Sequence, residues 1–297
     1  MIENQIKAYL LTSLVVTFWA TAASAFKIAL RYVTPYSLLL YSTLFSTLAL
    51  LGIMVWQGRL GNLKAVRGKN LAESALLGFL NPFLYYVVLF KAYAILPGQI
   101  AMSLNYGWPL VLTILSVPIL RQHLNRSQLL AIIVSFLGAV IIATRGEFTS
   151  FGNVSQTGVL LAGGSTVVWA TFWLFNARDG LDPVSKLFTG FCFGLFYTAL
   201  FRPLAGTIDL PPSRAWLPII YIGLFEMGIT FALWLTALQL TTTAAKITNL
   251  IYITPFFSLV ILNLVVGEKI QPATFIGLLL IVGSIIFQNM QTRKQSL

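Results

Sequence analysis

Long apolar stretches alternate with short polar connectors along the whole chain. Read in windows of about 19 residues on a transfer scale, the pattern predicts helices over residues 8–30, 36–56, 71–93, 98–120, 126–144, 157–177, 184–203, 216–238, 244–266 and 272–290. Each is close to the ~20 residues a helix needs to cross about 30 Å of hydrocarbon. The connectors carry turn chemistry at Thr34-Pro35, Gly58 to Gly61, Pro97-Gly98, Asp182-Pro183, Pro211-Pro212 and Gln271-Pro272. The expectation is an all-α membrane protein of ten transmembrane helices with little mass outside the bilayer. The first stretch is long enough to remain as a spanning helix instead of being removed as a signal peptide.

Composition strengthens this reading. Hydrophobic residues make up 58% of the chain and charged ones 9%, against roughly half and a quarter in soluble domains. The net charge of +11 would suit nucleic acid if the basic residues formed one stripe, but they are scattered through short connectors. They sort by side instead: the termini and even-numbered loops hold Lys7, Arg59, Lys64, Arg67, Lys69, Arg121, Arg126, Arg178, Lys186, Lys246, Arg293 and Lys294. The odd loops hold fewer, so both termini are expected in the cytoplasm of a bacterial cell, with the chain spanning the inner membrane. Lys27 and Lys91 read as snorkelling residues.

Comparing the chain with itself reveals a repeat. Trp19-Ala20-Thr21 recurs as Trp169-Ala170-Thr171, Gly78-Phe79-Leu80-Asn81 corresponds to Gly223-Leu224-Phe225-Glu226, Ala92 matches Ala237, and Pro109 and Pro255 fall midway along helices four and nine. Two five-helix units follow, over residues 1–148 and 149–297. An odd number of helices per unit inverts the second relative to the first, and in such folds the solute site lies near the midplane between the units.

Candidate chemistry is sought there. Glu226 lies about ten residues into its helix, roughly 15 Å deep at 1.5 Å per residue. A carboxylate at that depth costs on the order of 2.5 to 3.5 kcal/mol and is expected to face a cavity or to be satisfied, protonated, inside the bundle. Helical spacing groups Asn81 with Tyr85, Asn105 with Trp108, Trp169 with Trp173 and Asn176, and Lys246 with Asn249 and Tyr252. With Trp19, these faces would wall an aromatic cavity carrying a few amides and one acid, which also makes Glu226 the candidate for energy coupling. That lining suits a small solute with an apolar body and a polar head. Aromatic residues also form interfacial belts, so each retains an anchoring alternative. Pro82, Pro109 and Pro255 allow kinks.

Other classes are disfavoured. His123 and Cys192 have no partner in sequence for nucleophilic or metal chemistry, no Walker loop is present, and no cofactor is expected. A sensor or structural membrane protein would typically carry a larger extramembrane module. The expected partners are a small-molecule solute and membrane lipid, with one chain as the expected unit.

The stretch Trp19 to Pro35, the run from Ala237 through Thr241-Thr242-Thr243-Ala244-Ala245 to Pro255, and Gly267-Glu268-Lys269 together resemble the EamA type of the drug/metabolite transporter superfamily across the whole chain. In the first half Arg121-Gln122-His123 stands where the family pattern has Gly-Glu-Arg/Lys. The resemblance implies a basket-like bundle around a central cavity bounded mainly by helices one, three, four, six, eight and nine, and export of metabolites. With Tyr85, Trp108 and Trp169, the chain looks most like the YddG-like exporters of aromatic amino acids within that family. Export of cationic amphipathic drugs is the competing expectation.

Overall fold

The computed structural model describes residues 2–121, 124, 126–147, 154–176, 182–204, 208, 210–241, 247 and 250–295. Among these no strand occurs. The helices in chain order are α1 (Ile2–Ala29), α2 (Pro35–Trp56), α3 (Lys69–Ile95), α4 (Gly98–Ile119), α5 (Arg126–Thr144), α6 (Gln156–Asn176), α7 (Pro183–Leu200), α8 (Ser213–Leu240), α9 (Thr254–Val266) and α10 (Pro272–Gln295). Seven of them, α1 to α6 and α8, are long and apolar enough to cross a membrane; α9 and the apolar part of α10, Pro272–Gln288, are shorter. The difference from the ten equal stretches has identifiable causes. Lys186 and several Ser, Thr and Gly residues dilute α7, a turn at Tyr252-Ile253 interrupts the segment that ends in α9, and α10 runs out into polar residues.

Large apolar side chains point outward, with Leu160, Leu217 and Leu264 each about three-quarters exposed. Such a surface is costly in water and matched to lipid. Polar side chains inside the bundle are mostly Ser and Thr, and many of these bond back to carbonyls of their own helix, as Ser42 does to Leu38 at 2.6 Å and Thr47 to Thr43 at 2.7 Å. That local bonding removes the penalty of burying a hydroxyl.

Several helices are broken where the sequence places proline or glycine. In α3, Asn81 is extended (φ −146°, ψ 123°) in front of Pro82, inside a wide turn over Phe79–Leu84. In α8 a π-helical turn spans Ile222–Gly228. The α4 helix restarts after Tyr106-Gly107 with Pro109 in the first turn of its second piece, and α9 starts with Pro255 in the same position. Proline fits there because a first-turn N–H has no helical acceptor to lose. Both prolines therefore begin helical pieces instead of kinking continuous ones.

Close helix contacts rely on small residues. The α7 helix packs on the broken turn of α3, where Gly78 faces the Gly190 carbonyl, and α2 packs on the wide turn of α8, where a Cβ on Gly223 would sit 2.6 Å from the Ser42 carbonyl oxygen. The α5 and α10 helices meet at Gly138 and Gly277, where a Cβ on Gly138 would sit 2.6 Å from the Gly277 carbonyl oxygen. Along the interior, α1 lies against α8 and α9 while α6 lies against α3 and α4.

Asp182 caps the start of α7; its carboxylate accepts from the Ser185 N–H at 2.9 Å and hydroxyl at 2.7 Å and from Arg59 at 2.8 Å. Burial pushes this carboxyl up, but those hydrogen bonds and the guanidinium outweigh it and hold it below the usual carboxylate range.

Candidate functional site

A cavity of about 560 Å³ lies between α1, α3, α4, α6, α8 and the residues just before α9. Trp19, Tyr85, Asn105, Trp108, Trp169, Trp173, Glu226 and Tyr252 all line it. Asn81 is not in the lining; it is buried in the broken turn of α3, 2% exposed, with neither amide atom hydrogen-bonded. The extended backbone at Asn81 interrupts the helical register that would have aligned it with Tyr85, so the two do not share a face. Asn249 and Lys246 lie outside the described residues.

Glu226 sits in the π-helical turn of α8 and is 8% exposed. Its Oε1 accepts a hydrogen bond from the Tyr86 hydroxyl at 3.2 Å, and its Oε2 is buried without a partner. The indole of Trp19 donates to the Glu226 main-chain carbonyl at 3.4 Å, tying α1 to the turn that carries the acid. The extra residue of a π turn re-aims side chains relative to a continuous α-helix. This local irregularity had no sequence signal beyond the two glycines that flank it.

Aromatic rings build most of the wall. Trp169 lies 4.6 Å from Tyr85 and 5.7 Å from Phe231 between ring centroids, and Trp173 approaches Trp169 edge-on at 5.8 Å. Trp19 contacts Phe231 at 6.2 Å and Trp234 at 6.1 Å. These spacings fall in the favourable range for offset and edge-to-face pairs, so the wall is rigid and presents both ring faces and edges. The Trp173 indole N–H has no partner.

Asn105 is not a free amide. Its Oδ1 accepts from the Tyr85 hydroxyl at 3.1 Å and its Nδ2 donates to Ser165 Oγ at 2.8 Å, which makes it a strut joining α3, α4 and α6. The half-buried Lys27 ammonium donates to the Tyr93 and Leu96 carbonyls at 3.0 and 2.9 Å, taking up carbonyls left without helical partners at the end of α3.

Several lining residues were not singled out from sequence: Phe26, Tyr93, Tyr106, Phe231 and Trp234, with Tyr86 behind the acid. Each reads in isolation as an ordinary apolar position. The repeat held the missing signal, because the spacing that relates Asn81 to Glu226 also relates Tyr86 to Phe231, aromatic in both units.

Among the described residues, a bundle of helices with large apolar side chains outward and an aromatic cavity inside is the architecture of a membrane transporter. The chain's particular family is the EamA-like transporter family, which it matches over residues 6–144 and 156–290 and to which it belongs. Among its relatives is the uncharacterized transporter YdfC of Bacillus subtilis, 28% identical over 96% of this chain and 91% of that protein. The aromatic amino acid exporter YddG of Ancylobacter novellus is 25% identical over 51% of this chain and 53% of its own length. A probable terminal-alkyne amino-acid exporter of Streptantibioticus cattleyicolor is 24% identical over 94% of this chain and 92% of its own. A solved crystal structure with 20% sequence identity shares the fold, with a TM-score of 0.70 over 97% of this chain and 98% of that one.

Proposed function

We propose that this chain is a secondary transporter of the inner membrane that exports small amphipathic metabolites, aromatic and other neutral amino acids first, by alternating access through the central cavity. The observation that carries the reading is a buried carboxylate with one unpartnered oxygen set in a wall of aromatic rings. An apolar side chain stacks on such a wall, and an ammonium group completes the carboxylate. The two relatives named for amino-acid export point the same way.

In this reading the chain forms ten spans as two inverted five-helix units, residues 1–148 and 149–297, with both termini cytoplasmic. Three features support the arrangement. Cavity residues recur at matched positions, as Trp19 and Trp169, Leu89 and Trp234, and Tyr106 and Tyr252 do. The packing of α2 on the wide turn of α8 parallels that of α7 on the broken turn of α3, and α5 meets α10 glycine to glycine. Glu226 is the coupling residue, exchanging a proton for the solute head group.

A second solute class has its own support. Among the described residues, no Lys, Arg or His lines the cavity, and an organic cation fits an acid set among aromatic rings. Counterflow in proteoliposomes separates the two. Vesicles preloaded with excess single unlabelled solutes are followed for entry of trace labelled phenylalanine, against empty liposomes. Exchange driven by aromatic and bulky neutral amino acids supports the first reading; no phenylalanine entry with any of them, together with entry of a labelled organic cation into vesicles preloaded with organic cations, replaces it with the second.

A further inference from the structure

Phe26 and Tyr93, whose rings meet edge-on at 5.1 Å, line the cavity, and the connector between α3 and α4 follows Tyr93 within a few residues. Charged groups from two other parts of the chain grip this connector. The α9 helix ends at Gly267 in the left-handed region (φ 82°), which glycine adopts at no steric cost. The turn presents Glu268 to α4. Its Oε1 accepts from the Gly98 N–H at 2.7 Å and its Oε2 from the Gln99 N–H at 3.1 Å. First-turn N–H groups have no acceptor within their own helix, and the helix dipole favours an anion beside them. The Gln99 side chain then donates to the Lys269 carbonyl at 2.9 Å and accepts from the Gln271 N–H at 3.0 Å. From α1, Lys27 donates to the Tyr93 and Leu96 carbonyls that end α3.

We propose that Lys27 and Glu268 are positioning residues of the transport cycle, forming a latch that holds this end of the cavity shut and opens to let the solute pass. The proposal rests on the carrier reading. Charge-assisted hydrogen bonds at helix ends suit a reversible seal, because water satisfies the same donors and acceptors once the parts separate, whereas a seal of interlocked rings offers separated surfaces nothing. The latch is one-sided. At the spacing that relates Trp19 to Trp169, Lys27 corresponds to Ala177, and Glu268 of Gly267-Glu268-Lys269 corresponds to Gln122 of Arg121-Gln122-His123. At the matched sequence positions the other half carries neither charge, an asymmetry that favours closure at the Gly98 end.

The test uses the full chain with Cys192→Ser and a reporter substitution, Met102→Cys, in the cavity wall near this end. A membrane-impermeant maleimide is applied separately from each side of the membrane, and the labelling rates are compared. Glu268→Gln and Lys27→Met are expected to raise labelling from the Gly98 side by roughly tenfold, the order expected for losing one charge-assisted hydrogen bond, and to lower it from the other side. Gly98→Val is a third variant that leaves both charges in place. A Cβ there would lie 3.0 Å from Lys27 Cγ and 3.3 Å from Glu268 Oε1, so the branched side chain wedges the latch and is expected to act in the same direction. Unchanged labelling ratios in all three folded variants, checked by gel filtration in detergent, would overturn the latch. Wild-type counterflow distinguishes this from failure of the carrier reading, because labelling reports the latch whether or not any tested solute moves.

Discussion

Replacing Glu226 by Gln is expected to move stability and transport in opposite directions. The isosteric amide keeps an oxygen for the Tyr86 hydroxyl, now 3.2 Å from Oε1, and keeps the Trp19 bond to the main-chain carbonyl. It removes the need to keep a carboxylate, 8% exposed with one orphaned oxygen, away from water. At a pH where the solute-free carboxyl is ionised, removing this poorly compensated buried charge stabilises the fold by about 1 to 3 kcal/mol, which raises the thermal midpoint in detergent by a few degrees for a chain of this size. Transport loses the charge-assisted bond to the solute head group. A bond of that kind contributes ~1.5 to 3 kcal/mol, so half-saturation is expected to rise by roughly 10- to 100-fold. Counterflow and a thermal unfolding curve on the same preparation supply both numbers. A variant that transports normally, or that loses transport together with several degrees of stability, would refute the assignment and make Glu226 a structural residue.

The remaining predictions concern the wall, the packing and a connector. Trp169→Ala removes the ring between Tyr85 and Phe231 and is expected to cost about 3 to 5 kcal/mol and abolish counterflow, while Trp169→Phe keeps most of both. Gly138→Val forces a side chain toward the Gly277 carbonyl and is expected to lower stability by about 1 to 3 kcal/mol, read as a lower midpoint in detergent. Asp182→Ala removes the cap of α7 and is expected to cost about 1 kcal/mol. Because the Asp182 carboxyl lies below its ordinary value when folded, its contribution is present above the unfolded carboxylate range and lost as pH falls through the lowered folded value; thermal midpoints at pH 7 and pH 3 are therefore expected to differ less for Asp182→Asn than for the parent chain.

Much of the scaffold is legible in the apolar pattern because lipid demands uninterrupted apolar length. The expected 126–144 and 98–120 segments fall on Arg126–Thr144 and Gly98–Ile119. The start of α1 was placed too late, since Glu3, Gln5 and Lys7 fail a hydropathy test yet continue the helix to Ile2. The candidate site was legible wherever a polar or Trp residue stood out against apolar neighbours, as Glu226, Trp19 and Trp169 do. Asn81 shows the limit of this reasoning. Helical spacing projects a face only through a continuous helix, and the break at Asn81 itself invalidates the projection. The roles of Asn105 as a strut and Lys27 as a helix cap depend on partners at least 20 and 66 residues away respectively, which no local pattern encodes.

On the carrier reading, the distribution of charge relative to the repeat has a physical consequence. Some aromatic positions recur in both halves, Trp19 with Trp169 and Tyr106 with Tyr252, as expected if the two ends of the cavity open by equivalent movements of equivalent helices. The charged groups do not recur: Glu226 answers to Asn81, Glu268 to Gln122 and Lys27 to Ala177. A perfectly symmetric chain would populate its two facing states equally, and only differential contacts can tilt that balance. Here the differential contacts are the hydrogen bonds of Lys27 and Glu268 at one end of the cavity, while the acid on its wall belongs to a single half. On this reading the aromatic wall supplies the path, and unpaired charge supplies the preference for one facing state over the other.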